Sequence, residues 1–236
     1  GRAADGTEVP GALSNDDTLW SSQGILAVET GYTVTGSAEN PEGRTTPIDS
    51  GFTTLTPDDI ETAAITPASG QTVGVAMPVI VRFDAKVLDR AEVERKLNVT
   101  STPAQEGSWS WFNDKEVQYR TREYWQPGTQ VTVDADMTGV EFAGNVWGVD
   151  TEPATFTVGR YQLITVDING YEATVQDQSG QVTHTFPVSN GKGTGQYATR
   201  VGKKVIMTRQ RQHTMVSPGR KPGDPGYYRT PVQYAM

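Results

Sequence analysis

The stretch "GSWSWFNDKEVQYRTREYWQPGTQVTVDAD", Gly107–Asp136, sets the reading of the whole chain. Apolar and polar residues alternate at Trp109/Trp111, at Val117/Tyr119 and again from Val131 to Val133, which is the period of a half-buried strand. "FNDKEV" reads as the hairpin turn between the first two runs, and "QPG" as the turn before the third. Outward from it, "TPASGQTVGVAMPVIVRFDAKV" gives a turn, a short strand and alternation at Val79, Val81 and Phe83, and "ATFTVG" gives a closing strand. "DRAEVERKL", Asp89–Leu97, is the one convincing helical turn, with Glu92 four residues before Lys96. Short strands at this spacing over about 100 residues predict an immunoglobulin-like β-sandwich. Trp109, Trp111 and Trp125, at alternating strand positions, are expected in its core rather than as a sugar-stacking platform.

The flanks differ in kind. In residues 1–56, "DTLWSSQ", "TGYTVTGSAEN" and "SGFTTLTP" are strand candidates. "DTLWSSQGILAVETGYTVTGSA" parallels "KEVQYRTREYWQPGTQVTVDAD" as aromatic strand, connector and Thr/Val strand, so a related but partial sandwich is expected. A half-sandwich leaves edges and a core face uncovered, and both flanks read as cut within a fold. After Gly159, "LITVDINGYEATVQDQSGQVTHTFPVSNGKGTGQYATRVGKKVIMT" reads as strand, strand, an Asp177–Gly180 turn, strand, Gly-rich loop and a further strand. "RQRQHTMVSPGRKPGDPGYYRT" then reads as a long polar loop, and "GYYRTPVQYAM" as a turn into a half-buried aromatic strand. The division expected is 1–63, 64–158 and 159–236.

Charge divides the chain at the same place. Net charge is −8, but from Arg160 on ten Lys/Arg face four Asp/Glu, giving +6, and the preceding residues carry −14. The basic part suits an anionic partner or a solvated face. Nucleic acid is not that partner: "RVGKK" and "RQR" come with no helix-turn-helix, RNA-recognition or zinc motif. "GKGTG", Gly191–Gly195, precedes a strand-like run instead of a helix and lacks the phosphate-loop spacing.

Several chemistries are absent from these residues. With no cysteine there is no disulfide, thiolate metal site or Cys nucleophile. His184 and His213 cannot make a metal cluster alone, "SNDD" and "TPDD" lack calcium-loop spacing, and no G-x-S-x-G elbow exists. No metal or cofactor is expected, and His184 in "VTHTF" reads as a strand-surface residue. No apolar run reaches the roughly 18 residues of a bilayer span. The start at Gly1 fits a processed, secreted protein.

The phrases "TPASGQTVGVAMPVIVRFD", "GSWSWFNDKEVQYRTREYWQPGTQVTVDAD" and "GVDTEPATFTVGR" resemble the membrane-proximal immunoglobulin-like domain of actinobacterial, mycobacterial-type L,D-transpeptidases. "ITVDINGYEATVQDQSGQVTHTFPVSNGKG" and "YRTPVQYAM" resemble the first half of their catalytic domain. The similarity covers residues 65–236 well and 10–56 more loosely. It implies an all-β chain: tandem immunoglobulin-like sandwiches, then the first part of an L,D-transpeptidase catalytic β-domain. It also implies a cell-envelope enzyme, outside the cytoplasm, whose partners are peptidoglycan stem peptides and β-lactam (carbapenem) inhibitors. Any membrane attachment would run through an anchor outside this chain.

In that family a Cys thiolate attacks the stem-peptide carbonyl and a 3→3 cross-link results. Its His and S-H-G-C motif have no match here, so no catalytic residue carries over. The lid does. A Met that opens the flap and a Tyr that closes it match Met215 in "HTMVS" and Tyr228 in "GYYRT", with Tyr227 the alternative because the Tyr is doubled. The usual M-D-S-S reads "MVSPG", which changes the lid's hydroxyl positions, and the bland reading makes Met215 and Tyr228 ordinary loop anchors. Other functions open to such a chain are a non-catalytic wall-binding or spacer protein and a sandwich binding carbohydrate through Trp.

Overall fold

Among residues 1–191 and 198–235, which the computed structural model describes, strands dominate and one short helix appears. The front module holds β1 (Arg2–Ala3), β2 (Gly11–Leu13), β3 (Trp20–Ser22), β4 (Gly31–Glu39) and β5 (Thr45–Thr53). β4 and β5 form a long hairpin from Gly31↔Thr53 to Glu39↔Thr45, with β1 on the other side of β4, while β2 and β3 pair separately. Tyr32 is the buried anchor: its ring stacks on Phe52 at 5.6 Å and its hydroxyl accepts the Ala27 N–H at 2.9 Å. β5 is exposed along its length. Pro47, which offers no N–H, blunts its free edge.

The central module runs β6 (Asp59–Glu61), β7 (Ala64–Thr66), β8 (Thr72–Val73), β9 (Val79–Arg82), α1 (Arg90–Lys96), β10 (Leu97–Thr102), β11 (Gly107–Trp111), β12 (Glu116–Thr121), β13 (Gln130–Ala135), β14 (Glu141–Phe142), β15 (Val146–Gly148) and β16 (Ala154–Val158). One sheet is ordered β10-β13-β16-β8 and the facing one β11-β12-β9-β7. Their inner faces make one core, with Val131, Val133, Phe156 and Val158 on one side and Val79, Val81 and Val117 on the other. Burying each such side chain contributes about 1.5–3 kcal/mol. The hairpin expected at "FNDKEV" is present, pairing Trp109 with Tyr119 and Trp111 with Val117.

α1 is capped by Asp89, whose carboxylate accepts the Glu92 N–H at 3.0 Å, and it buries Val93. The expected Glu92–Lys96 pair does not form. Glu92 pairs with Arg95 one residue nearer, and Lys96 reaches across to donate to the Thr138 carbonyl at 3.1 Å. The tryptophans also separate. Trp125 is 2% exposed, whereas Trp109 and Trp111 lie partly buried on β11, the outer strand of its sheet. There the Trp111 indole donates to Glu94 at 2.7 Å under the Arg90 guanidinium. Around Trp125, Gln126–Thr129 makes a turn in which the Thr129 N–H donates to the Gln126 carbonyl at 3.2 Å. Gly128 occupies the third position at φ +82°. Pro127 before it and Gly at positive φ are what a type II turn demands.

Buried carboxylates tie segments together. Glu61 on β6 accepts the backbone N–H groups of Asp84 and Ala85, the latter at 2.9 Å. Glu116, directly opposite Arg82, accepts from its guanidinium at 2.7 Å and from Gln118 at 2.6 Å. Burial alone would raise the Glu116 pKa, but the Gln118 and Arg82 donors outweigh it and hold the group below the ordinary glutamate value. A carboxyl whose folded-state pKa is lowered contributes stability at neutral pH that is lost as pH falls through that lowered value. We therefore expect Arg82→Met to be less stable than the parent at neutral pH, with the gap closing as pH drops through the acid range. Urea midpoints across pH check this; a gap independent of pH would refute it.

Asn145 joins front and central modules, donating to the Thr56 carbonyl at 3.3 Å and accepting the Asp58 N–H at 3.0 Å. Beyond the core come β17 (Leu163–Asp167), β18 (Glu172–Gln176) and β19 (Val182–Pro187), an antiparallel meander. The expected Asp177–Gly180 turn is closed by the Asp177 carboxylate, which accepts from the Ser179 and Gln181 N–H groups at 2.9 and 3.1 Å. The last pair is β20 (Gln210–Val216) and β21 (Arg229–Ala235). Residues 198–208, read from sequence as part of a strand, carry none. Their Val and Ile are diluted by Gly202 and consecutive lysines, and like charges at 203 and 204 leave no alternating face.

Candidate functional site

The candidate residues fall on the β20–β21 ribbon. The polar run expected to be one long loop is instead a hairpin whose connection is Ser217–Tyr228. β21 is also more exposed than its aromatic pattern implied, with only Val232 and Ala235 partly covered. The ribbon pairs with no third strand among the described residues, so alternation along it has no core to face.

Met215 lies opposite Thr230 and Val216 opposite Arg229. One step further, the Ser217 N–H donates to the Tyr228 carbonyl and the Tyr228 N–H to the Ser217 hydroxyl, both at 3.1 Å. Met215 stands next to the last rung of the ladder and Tyr228 just beyond it, both at the loop end of the ribbon, and they are 46% and 43% exposed. Tyr227 is half-buried, and its N–H donates to the Asp224 carbonyl at 3.0 Å as part of the loop's internal wiring. Asp224 also accepts the Lys221 N–H at 2.8 Å through its carboxylate, and the Arg220 guanidinium donates to the Pro225 carbonyl.

Ser217 is the residue the sequence reading missed. It is the buried polar group of this region, and its hydroxyl fixes the backbone of Tyr228. A Ser-Pro step ending an alternating run was the available signal, since Ser bonds backbone groups and Pro cannot extend the ladder.

A separate cleft of about 270 Å³ opens between the 120–125 corner of the sandwich and residues 203–205. Met77 and Trp125 contribute apolar wall, and Arg120, Arg122, Lys203 and Lys204 contribute positive charge against the one carboxylate of Glu123. His184 and His213 are both exposed and on different sheets. His184 contacts the Thr183 hydroxyl and His213 the Gln210 side-chain carbonyl. No group of three His, Cys, Asp or Glu fit to hold a metal occurs among the described residues. The Gly-rich candidate at 191–195 lies, apart from Gly191, outside the described residues.

Residues 2–141 match the family model described as "Bacterial Ig domain". Over 218 residues, 90% of this chain and 48% of the relative, the sequence is 36% identical to L,D-transpeptidase 5 of Mycobacterium tuberculosis. L,D-transpeptidase 2 of the same species is 32% identical over 232 residues, 98% of this chain and 56% of the relative. The chain belongs to the bacterial Ig-domain family and is a homologue of the mycobacterial L,D-transpeptidases. Solved structures agree. An L,D-transpeptidase in complex with imipenem superposes with TM-score 0.57 at 28% identity, over 73% of this chain and 74% of that one. An L,D-transpeptidase from Mycobacterium smegmatis does so with TM-score 0.51 at 27% identity, over 74% of each. This chain spans about half the length of the M. tuberculosis relatives compared. The relatives constitute an acyltransferase-type enzyme family, and the all-β, immunoglobulin-like architecture expected from the sequence is the one observed. No helix among the described residues is long and apolar enough to cross a membrane.

Proposed function

We propose that these residues serve a peptidoglycan L,D-transpeptidase of the cell envelope that forms 3→3 cross-links between stem peptides. The nucleophilic Cys of this reading lies outside residues 1–236, which contain none. Its thiolate adds to the carbonyl after the third residue of a donor stem. The bond from that carbonyl carbon to the D-Ala nitrogen breaks, D-Ala leaves as its amine by taking up the proton the thiol had given to its base, and a thioester remains. A side-chain amine of a second stem then attacks the thioester and releases the thiolate, which is covalent nucleophilic catalysis with an oxyanion to stabilise at each step. Met215 and Tyr228, with Tyr227 the alternative to Tyr228, form the pocket rim in this reading. The observation that carries it is identity to two L,D-transpeptidases over nine-tenths or more of the chain, across both the sandwich and the residues beyond it. The cationic cleft beside Trp125 suits the carboxylates and phosphates of wall polymers.

The deciding experiment treats the protein expressed from its own gene with imipenem, then uses intact mass and peptide mapping. An adduct on a cysteine outside residues 1–236, together with D-Ala release from tetrapeptide stems, is expected. No adduct and no D-Ala release would leave a non-catalytic wall-binding or spacer protein. That second reading is favoured by one observation, four cations against one carboxylate around a cleft in residues that contain no cysteine. Binding to purified walls without any acylation is its signature.

A further inference from the structure

The chain contains two Asn–Gly dipeptides, Asn169–Gly170 and Asn190–Gly191, and the fold treats them differently. Such a dipeptide is chemically labile because glycine has no Cβ to hinder attack of its nitrogen on the preceding side-chain amide. At the second one both reacting groups are held. The Asn190 amide nitrogen donates to the Ile168 carbonyl at 3.0 Å, and the Gly191 N–H donates to the Thr199 hydroxyl at 2.7 Å. At the first, Asn169 stands exposed at the tip of the β17–β18 hairpin, and its own N–H donates to Asp167 at 2.9 Å. Among the described residues, its side-chain amide and the Gly170 N–H have no protein partner. A Cβ placed on Gly170 would lie 2.7 Å from the other Asp167 oxygen, so a larger residue would have to turn that carboxylate aside.

We propose that Asn169 is a site of spontaneous deamidation, while Asn190 is protected by its hydrogen bonds. The Gly170 nitrogen gives its proton to solvent base and bonds to the Asn169 side-chain carbonyl carbon. The bond from that carbon to the amide nitrogen breaks, and ammonia leaves. A five-membered succinimide results, and water adds to either of its carbonyls, giving aspartate or isoaspartate. One water enters, one ammonia departs, one negative charge is gained and nothing is oxidised or reduced.

The product acts on its surroundings. The new carboxylate lies two residues from Asp167 and three from Glu172, which are themselves cross-strand partners, so like charges crowd one turn. Isoaspartate also adds a methylene to the main chain inside the hairpin. The same turn anchors the residues after β19, through the Val188 N–H to the Tyr171 carbonyl at 2.9 Å and through Asn190 to Ile168. Modification at 169 thus loosens the hold on residues 188–191.

The test incubates the full chain, folded and in urea, in mildly alkaline buffer, and follows both dipeptides by peptide mapping and isoaspartyl methyltransferase labelling. In the folded chain Asn169 should convert at least about tenfold faster than Asn190, a difference that closes in urea. Asn169→Gln should abolish the fast phase. Equal rates at the two sites in the folded protein, or faster loss at Asn190, would overturn the proposal.

Discussion

Replacing Trp125 with alanine is expected to cost the central sandwich about 3–5 kcal/mol, the range for a large aromatic removed from a core. The residue stands where several constraints meet. Its ring is 2% exposed and stacks on Tyr119 at a centroid distance of 6.4 Å, and Tyr119 in turn meets Trp109 edge-on at 5.2 Å. Its backbone N–H donates to the Val75 carbonyl and its indole N–H to the Met77 carbonyl, each at 2.9 Å. Truncation therefore opens a cavity and also leaves a buried carbonyl without its donor. Trp125→Phe refills most of the volume but not the hydrogen bond, so it should cost less than half as much. Urea unfolding of both variants, read by far-UV circular dichroism, separates the two contributions. A loss below about 1.5 kcal/mol for the alanine variant would mean that Trp125 is not part of the sandwich's cooperative core.

The central sandwich was legible because several signals agreed there. Alternation from Val131 to Val133 fixed the buried face, and "QPG" demanded the turn that Gly128 makes at positive φ. Asp89 marked its helix start in the same way. The aromatic strand and the Thr/Val strand of the internal echo do belong to different sheets in both copies, β3 and β4 in front, β12 and β13 behind. What failed were inferences that depend on where an element sits. Trp111 and Trp125 look alike in sequence, yet one lies on an outer strand beside Arg90 and Glu94 and the other fills the interior. "GYYRTPVQYAM" has a half-buried pattern but packs on no third strand among the described residues, so most of it is exposed. Pattern reports which residues can be covered. Only packing decides whether they are.

The same ribbon carries the prediction with the most functional weight. In the protein expressed from its own gene, Tyr228→Ala and Met215→Ala should each slow acylation by imipenem about ten- to a hundredfold, the penalty of losing positioning without touching the reacting atoms. Both residues sit at the loop end of one hairpin. The reciprocal hydrogen bonds with Ser217 fix the Tyr228 backbone, so its ring is presented at little entropic cost, and Met215 stands two residues before Ser217 on the paired strand. Both side chains are nearly half exposed, which suits a surface that closes over a ligand better than a loop anchor. Tyr227 is the internal control. Its N–H closes the turn onto Asp224 and its side chain is half-buried, so Tyr227→Ala should lower stability more than it lowers the acylation rate. Ser217→Ala removes the acceptor that holds Tyr228 and should give an intermediate loss, whereas Tyr228→Phe, which keeps ring and backbone, should stay near the parent rate. If Tyr227→Ala slows acylation and Tyr228→Ala does not, the two tyrosines exchange roles. If neither these nor Met215→Ala changes the rate, the ribbon has no part in binding, and the Met–Tyr pair is an anchor after all.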